Sequence, residues 1–244
     1  MKKDVALFVT IGFVLLCAGN YFLLYNEQAE REKVIVARAI DGDTVVLNDG
    51  RTIRLVNINT PERNERGYDE AKEFLQTLEN KTVFLENRGV EKYGRGLGVL
   101  YVDNENINLE LVRRGLAHTL LVEDDEAKIF HRVQEKAFET KRGIWERSPS
   151  YGCLQAEIDK KEEYILFRSQ CGPSLHEWTV KDETTHSYKL GEGLNERFTL
   201  YSEEGVESSS ERYWGRGNVW NNDRDSLFVR DENELLVLYS SYGY

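Results

Sequence analysis

The stretch from Ile40 to Glu62, IDGDTVVLNDGRTIRLVNINTPE, constrains the fold more than any other part of the chain. Two runs rich in β-branched residues flank the sequence NDG. This pattern is typical of a β-hairpin, because Gly50 can take a positive φ without steric cost. The same stretch carries three aspartates, two arginines and a glutamate. Core-facing strands seldom hold so many charges, so we expect this hairpin to present a polar site.

The segments around this hairpin predict a small closed barrel with helices. KVIVARAI, TVFLENR and GLGVLYV are typical of further strands. YDEAKEFLQTLENK, INLELVRRGLA and DDEAKIFHRVQEKAFETKRG predict helices, the last of which ends at Gly143. In the first helix, Ala71, Phe74, Leu75 and Leu78 share one apolar face. Short strands with inserted and appended helices indicate an OB-fold β-barrel of the α+β class, which we place at residues 31–149.

The charged residues of the hairpin suit chemistry on phosphate esters. Polar side chains occur at the strand entry, along the second strand and at the strand end: Asp41, Asp43, Arg54, Asn59, Thr60 and Glu62. A later segment, EKYGRGLGVLY, adds Arg95 between two glycines that would let a backbone approach a ligand. Arginine forks bind phosphate oxygens, oxygen ligands hold hard cations, and a carboxylate can orient or deprotonate a water molecule.

Four motifs in register resemble the staphylococcal-nuclease-like (thermonuclease) family. They are IDGDT, IRLVNINTPE, EKYGRGLGVLY and NLELVRRGLA, followed by a late GIW, and they span about residues 33–147. The resemblance implies an OB-fold barrel. It also implies a calcium-dependent endonuclease with DNA and RNA as substrates.

The resemblance further implies roles for individual residues. Arg54 and Arg95 match the two arginines that hold the scissile phosphate, and Glu62 matches the proposed general base. Asp43 matches a carboxylate ligand of calcium. Thr60 matches a ligand that uses its backbone carbonyl. We expect these five residues to converge on one site.

Three more positions match the family, and one departs from it. Asp41 matches an acid that supports the metal site, and Lys92 and Tyr93 match residues beside the terminal phosphate of the nucleotide. At the position where the family has its second calcium-binding carboxylate, this chain has Asn59, whose side chain is neutral. Fewer charges weaken a calcium site, so we expect activity at higher calcium concentration or with another divalent ion. HTLLVEDD replaces the base-stacking tyrosines, which predicts lower nucleotide affinity.

The sequence changes character at Ser148–Gly152, and residues 150–244 predict an immunoglobulin-like β-sandwich. Short strand-like runs recur there between turn residues at a spacing of about 8–12 residues. The expected core anchors are Trp178, Tyr188, Phe198, Trp220 and Leu227. The order of WTVKD, FTLY, VWNNDRDSLFVRD and LVLYS resembles the lamin-tail domain over about residues 163–244. That resemblance implies an adaptor role.

The N-terminus predicts a membrane anchor within residues 1–30. Residues 5–25 form an uncharged run that is long enough for a transmembrane helix, and Lys2 and Lys3 precede this run. Positive residues favour the cytoplasmic side, so we expect the remaining domains outside the cytoplasm. A cleaved signal peptide, which would give a secreted protein, and a buried core helix are the alternatives.

Placement outside the cytoplasm would put Cys153 and Cys171 in an oxidising compartment, which predicts a disulfide between them. Two free thiols are the alternative.

The charge balance limits the functional classes. The chain carries a formal net charge of −11 at pH 7, and both predicted domains are acidic. This excludes a broadly basic nucleic-acid-binding surface, so phosphate recognition must rely on local arginines. The four histidines show no metal-ligand spacing. We therefore expect an extracytoplasmic, membrane-anchored endonuclease, with a catalytically inactive nucleic-acid-binding module or an envelope adaptor as alternatives.

Overall fold

The computed structural model describes residues 31–122, 124–172 and 175–244. The anchor predicted at residues 5–25 lies outside these ranges. Within them, no helix combines the length and apolar character needed to cross a membrane.

The first half of the described chain alternates strands with helices. Its strands are β1 (Arg31–Ala39), β2 (Thr44–Leu47), β3 (Thr52–Leu55), β4 (Ile58–Asn59), β5 (Thr82–Val90), β6 (Gly96–Val102), β7 (Glu105–Asn106) and β8 (His118–Thr119). Its helices are α1 (Tyr68–Gln76), α2 (Ile107–Arg114) and α3 (Asp124–Glu139), followed by a 3-10 turn at Gly143–Trp145.

Five of these strands close into a barrel, which confirms the predicted OB-like fold. The strands run in the order β3-β2-β1-β5-β6, and β3 closes the ring by pairing with β6 in parallel. The NDG turn joins β2 to β3 with Gly50 at a φ of 90°. Apolar side chains from the strands and all three helices fill one core, among them Val36, Leu55, Leu100, Leu111 and Phe130.

The helices bury most of the faces predicted for them. Ala71 and Leu75 of α1 are fully buried, and Leu78 is buried just beyond the helix end. Phe130 and Ala137 of α3 are also buried. Ile129 of the same helix is 48% exposed, so it lies outside the buried face of α3.

The second half of the described chain forms two four-stranded sheets. One has the order β14-β13-β10-β9 and the other β12-β11-β15-β16. These strands are β9 (Leu154–Asp159), β10 (Tyr164–Ser169), β11 (Thr179–Lys181), β12 (Ser187–Lys189), β13 (Arg197–Tyr201), β14 (Glu211–Tyr213), β15 (Asp225–Arg230) and β16 (Leu236–Tyr242). Trp178, Phe198, Trp220 and Leu227 are core residues here, while Tyr188 is partly buried against that core. A disulfide joins Cys153 to Cys171.

An apolar cluster joins the barrel half to the sheets. Ile144 and Trp145 of the 3-10 turn share it with Phe228 of β15 and Leu236 of β16. The Trp145 ring lies 4.9 Å from the Tyr239 ring, and the Phe228 and Tyr239 rings are 5.1 Å apart. The segment between the halves is also fixed, because Ser148 donates its backbone N–H to the Leu236 carbonyl at 2.9 Å.

Candidate active site

Closure of the barrel brings together the two arginines that the sequence singled out. In the parallel β3–β6 pair, Ile53 lies opposite Gly96 and Arg54 opposite Leu97. Arg95 therefore precedes the strand that runs alongside Arg54. A Cβ atom on Gly96 would lie 2.7 Å from Ile53 Cδ1, so glycine permits this close approach. The two guanidinium groups belong to one end of the closed sheet.

Arg54 is held by four acceptors. Its Nη2 lies 3.2 Å from Asp43 Oδ2 and donates to Asn59 Oδ1 at 3.0 Å. The same nitrogen donates to the Ile58 carbonyl at 3.1 Å, and Nη1 donates to the Leu55 carbonyl at 2.6 Å. The Arg54 side chain is 15% exposed. Its orientation is thus fixed before any ligand binds.

Asp43 lies at the centre of the polar network. Its Oδ1 accepts from Thr44 Oγ1 at 3.0 Å, and its Oδ2 accepts from Thr60 Oγ1 at 3.0 Å. Asp41 Oδ1 in turn accepts from the Asp43 backbone N–H at 3.1 Å. Gly42 makes this turn possible, since a Cβ there would meet Thr60 Oγ1 at 2.7 Å. The turn that carries both aspartates is therefore packed directly onto Thr60.

The donor set of this network suits a hard divalent cation. Asp43 offers a carboxylate, Asn59 an amide oxygen and Thr60 a backbone carbonyl, and oxygen ligands of these kinds bind calcium. Burial raises the pKa of the Asp43 carboxyl, although the charge of Arg54 opposes this shift. A nearby cation would further offset the cost of a buried negative charge. Among the described residues no three His, Cys, Asp or Glu side chains form a metal cluster, so a cation held here would depend on neutral oxygens as well.

Asn59 faces both halves of the molecule. Its strand β4 pairs with β8, where Asn59 lies opposite His118. Its Oδ1 accepts from Arg54, whereas its Nδ2 donates to the carbonyls of Glu183 and Thr184 at 3.2 Å each. The side chain that the sequence assigned to the metal site therefore also contacts the second half of the chain.

Glu62 lies on the exposed loop after β4. Its backbone N–H donates to Glu65 Oε2 at 2.8 Å. Partial loss of hydration raises the pKa of the Glu62 carboxyl, and the charges of Glu65, Asp43 and Asp41 raise it further, while Lys181 opposes them. Glu62 therefore shares the electrostatic environment of the aspartates and can accept a proton more readily than an isolated glutamate.

Arg95 contacts the carboxylate of Glu91, to which the motifs assign no role. It forms an ion pair with Glu91 at the start of the same turn. That bond raises the pKa of Arg95, and the charges of Asp43 and Asp41 add to the effect. Lys92 and Tyr93 lie between the two partners on the exposed turn, with Lys92 Nζ 4.8 Å from the Tyr93 ring centre. Arg95 is thus near the aspartates but not bonded to them.

A cavity of about 540 Å³ opens beside Arg54. Its wall is mixed, with apolar side chains at Leu97, Leu120 and Leu121 and charged side chains at Arg88 and Glu91. Leu121 is 62% exposed and belongs to the segment HTLLVEDD, in which tyrosines are absent. An aliphatic rather than aromatic wall therefore faces this opening.

Some residues of the site could not be found from motifs. Glu91 stands four residues before Arg95, which is a local signal for an ion pair. Glu65 accepts from Lys181 Nζ at 2.6 and 2.5 Å across 116 positions, and Asn59 reaches Glu183 across 124. Such distant contacts have no local pattern and depend on the packing of the two halves.

Comparisons with known proteins identify the family to which the barrel half belongs. The profile of the family described as staphylococcal nuclease homologue matches residues 52–147. The chain is 30% identical over 149 residues to an uncharacterized endonuclease of Haemophilus influenzae, covering 57% of this chain and 83% of that protein. It is 31% identical over 173 residues to the thermonuclease of Staphylococcus intermedius, covering 60% of this chain and 100% of that protein. Endonuclease YncB of Bacillus subtilis is 31% identical over 139 residues, with 50% of this chain and 66% of that protein covered. The chain therefore belongs to the staphylococcal nuclease homologue family, and it is a nuclease, a hydrolase of phosphodiester bonds.

Proposed function

We propose that this nuclease is a calcium-dependent endonuclease that cleaves both DNA and RNA. The observation that supports it is the single network in which Arg54 bonds to Asp43 and Asn59 while Thr60 bonds to Asp43. Arg95 and Glu62 lie within electrostatic reach of the same aspartates. Cation ligands, phosphate-binding groups and a base are therefore concentrated at one end of the barrel.

Each residue has a role in the proposed reaction. Arg54 and Arg95 bind oxygens of the scissile phosphate and stabilise the charge that develops in the transition state. Glu62 orients a water molecule and takes its proton as the water oxygen bonds to phosphorus. The bond from phosphorus to the 5′ oxygen breaks, the 5′ oxygen takes a proton from a solvent water molecule, and a 3′ phosphate remains. Arg54 is positioned for this role by its backbone acceptors at Leu55 and Ile58.

The metal site is part of the same proposal. Asp43, Asn59 and the Thr60 carbonyl would hold calcium, with Asp41 supporting Asp43 from its other side. The ion would supply Lewis-acid polarisation of the phosphate. Because only one of the three ligands carries a charge, we expect calcium activation to saturate well above low micromolar concentrations. Lys92 and Tyr93 would contact a terminal phosphate of the substrate from the β5–β6 turn.

The cellular setting is also proposed. A membrane anchor at residues 5–25 would place the barrel and the sheets outside the cytoplasm, and the Cys153–Cys171 disulfide supports an oxidising compartment. The two packed sheets support an immunoglobulin-like, lamin-tail-like domain, which we propose as an adaptor for an envelope partner. Protease accessibility of the second domain on intact cells tests this placement. Full protection of that domain until the cells are lysed would contradict it.

The nuclease proposal is tested by substituting the two arginines in the full chain. Arg54→Met and Arg95→Met should each lower the rate of plasmid and RNA cleavage by about 10²–10³-fold, because each removes a phosphate-binding donor. Arg51→Met is the matched control, since Arg51 lies on the same hairpin but pairs with Glu32 and Asp49 at the surface.

Rates are measured with calcium and with a chelator. The control variant should cleave like the wild type, and chelation should stop both. Unchanged cleavage in either arginine variant would remove that residue from the mechanism, and activity in the chelator would refute the calcium requirement.

A further inference from the structure

The turn between β11 and β12 in the second half of the chain packs against the nuclease site. We call residues 179–189, which comprise both strands and their turn, the site hairpin. Its strands pair from Thr179 opposite Lys189 to Lys181 opposite Ser187. β11 also pairs with β15, so the site hairpin is fixed to the sheet that carries Phe228. It is an edge of the second domain that faces the first.

A buried aspartate makes the turn of the site hairpin rigid. Asp182 is 2% exposed. Its Oδ1 accepts from the backbone N–H groups of Thr184 at 2.9 Å and His186 at 3.1 Å, and its Oδ2 lies 2.6 Å from His186 Nδ1. The Glu183 backbone N–H is also bonded, to Asp225 Oδ1 at 3.3 Å. The carbonyls of the turn therefore point in fixed directions.

Two of those carbonyls accept from Asn59. The Glu183 and Thr184 oxygens each lie 3.2 Å from Asn59 Nδ2, and Asn59 is 5% exposed. An aspartate at this position would face two carbonyl oxygens with no proton to donate. A buried contact of that kind lacks its hydrogen bonds and is repulsive. Asparagine, unlike aspartate, can accept from Arg54 through its Oδ1 and also donate to the two carbonyls through its Nδ2.

A second contact reaches the loop that carries Glu62. Lys181 Nζ donates to both carboxylate oxygens of Glu65, and the Lys181 side chain is 13% exposed. Glu65 Oε2 also accepts from the Glu62 backbone N–H at 2.8 Å. A continuous chain of bonds thus runs from the second domain to the backbone of Glu62.

Contacts outside the site fix the domains relative to each other. Gln134 Nε2 donates to the Tyr239 hydroxyl at 3.1 Å, and Arg224 Nη1 donates to the Val122 carbonyl at 3.0 Å. With the shared apolar cluster around Trp145, these contacts hold the site hairpin in place. It is not a loosely tethered segment.

We propose that the site hairpin is a structural wall of the nuclease site, in which Lys181 is a positioning residue for the Glu62 loop and Asn59 fastens the two domains together. The second domain is then required for full activity and is more than an adaptor. The departure from the family's aspartate at position 59 follows from this attachment. The activity part of the inference rests on the proposed function, whereas the attachment at Asn59 does not.

The first test replaces Lys181 in the full chain. Lys181→Met should lower kcat by about 10–100-fold while KM changes little, because Glu62 is misplaced but phosphate binding remains. Lys181→Arg should keep most of the rate, and the exchange Lys181→Glu with Glu65→Lys should restore part of it. Lys189→Met is the matched control, since this lysine of the same hairpin pairs with Glu177 at the surface. A Lys181→Met enzyme with wild-type kcat would overturn the positioning role.

The second test restores the family's residue with Asn59→Asp. We expect faster hydrogen exchange over residues 182–186, by about tenfold or more, and a lower melting temperature, since the carboxylate repels the turn carbonyls. If Asn59 serves only as a weakened metal ligand, the Asn59→Asp enzyme should be activated at lower calcium concentration, with hydrogen exchange over residues 182–186 unchanged. That result would overturn the attachment. Hydrogen exchange is measured without substrate, so it tests the attachment even if the wild type is inactive. An inactive wild type would refute only the proposed nuclease mechanism.

Discussion

Arg54 shows how a charged side chain can be largely buried in this barrel with its donors bonded and its charge balanced. A guanidinium group has five N–H donors, and those of Arg54 meet two backbone carbonyls, one amide oxygen and one carboxylate. The carbonyls fix its plane, while Asp43 balances its charge. A lysine could not make this set of contacts, because it lacks the planar fork. The guanidinium plane of Arg54 is therefore fixed in the orientation in which we propose that it binds phosphate.

His118 is the residue whose protonation should control the pH dependence of stability. It lies opposite Asn59 on β8, its Nδ1 is 3.0 Å from the Thr119 carbonyl, and its ring is 4.9 Å from that of Phe228. Burial lowers the pKa of His118 to about 3. An unfolded histidine has a pKa of about 6.5, so between these values the unfolded chain binds the extra proton. Stability from this group is complete above about pH 6.5 and falls as the pH falls towards 3.

The test compares His118→Phe with the wild type. Between pH 7 and pH 5 the wild type should lose about 2 kcal/mol more unfolding free energy than the variant, because the variant has no proton to bind there. Denaturant unfolding at both pH values measures the difference. His176→Gln, at an exposed histidine, is the control and should follow the wild type. Equal losses in the wild type and His118→Phe would contradict the prediction.

At the scale of elements, sequence patterns predicted those turns and strands whose conformation depends on neighbouring residues. The NDG turn and the β-branched runs follow from steric preferences of neighbouring residues, whereas closure of the five-stranded barrel depends on the long-range pairing of β3 with β6. The motifs around Arg54 and Arg95 identified both arginines, and the β3–β6 pair accounts for their proximity. Lys181 and Thr184 could not be predicted, because their partners lie more than 100 positions away and no spacing records them. Asn59 could be singled out from sequence, but the second function of its amide depends on that distant turn.

The disulfide stabilises one pair of neighbouring strands in the second domain. Cys153 precedes β9 and Cys171 follows β10, with a sequence separation of 18, so the bond closes the β9–β10 hairpin at its open end. Replacing both cysteines by serine should destabilise the domain by about 2–4 kcal/mol, chiefly because the unfolded chain gains freedom.

Denaturant unfolding followed by tryptophan fluorescence measures this effect, since Trp178, Trp214 and Trp220 all lie in the second domain's core. Reduced wild-type protein is the control and should match the double variant. A reduced wild type as stable as the oxidised form would show that the bond contributes nothing.

At the scale of the whole molecule, the two domains share an apolar cluster and should unfold together. Phe228 is 3% exposed and contacts the rings of Trp145, Tyr239 and His118 at 5.8, 5.1 and 4.9 Å. We expect the wild type to unfold in one transition, because the barrel's 3-10 turn and β15–β16 lose their apolar partners together.

Phe228→Ala should break this coupling. It removes a buried aromatic ring at a cost of about 3–5 kcal/mol and opens a cavity between the domains, so two transitions should replace one. Calorimetry counts the transitions, and hydrogen exchange assigns each to the barrel or the sheets. Phe84→Ala is the control, since Phe84 is a barrel residue that is 42% exposed, and one transition should persist there. Separate transitions already present in the wild type would mean that the shared cluster does not couple the domains. The site hairpin would then have to be held against the nuclease site by the polar contacts of Asn59, Lys181, Gln134 and Arg224.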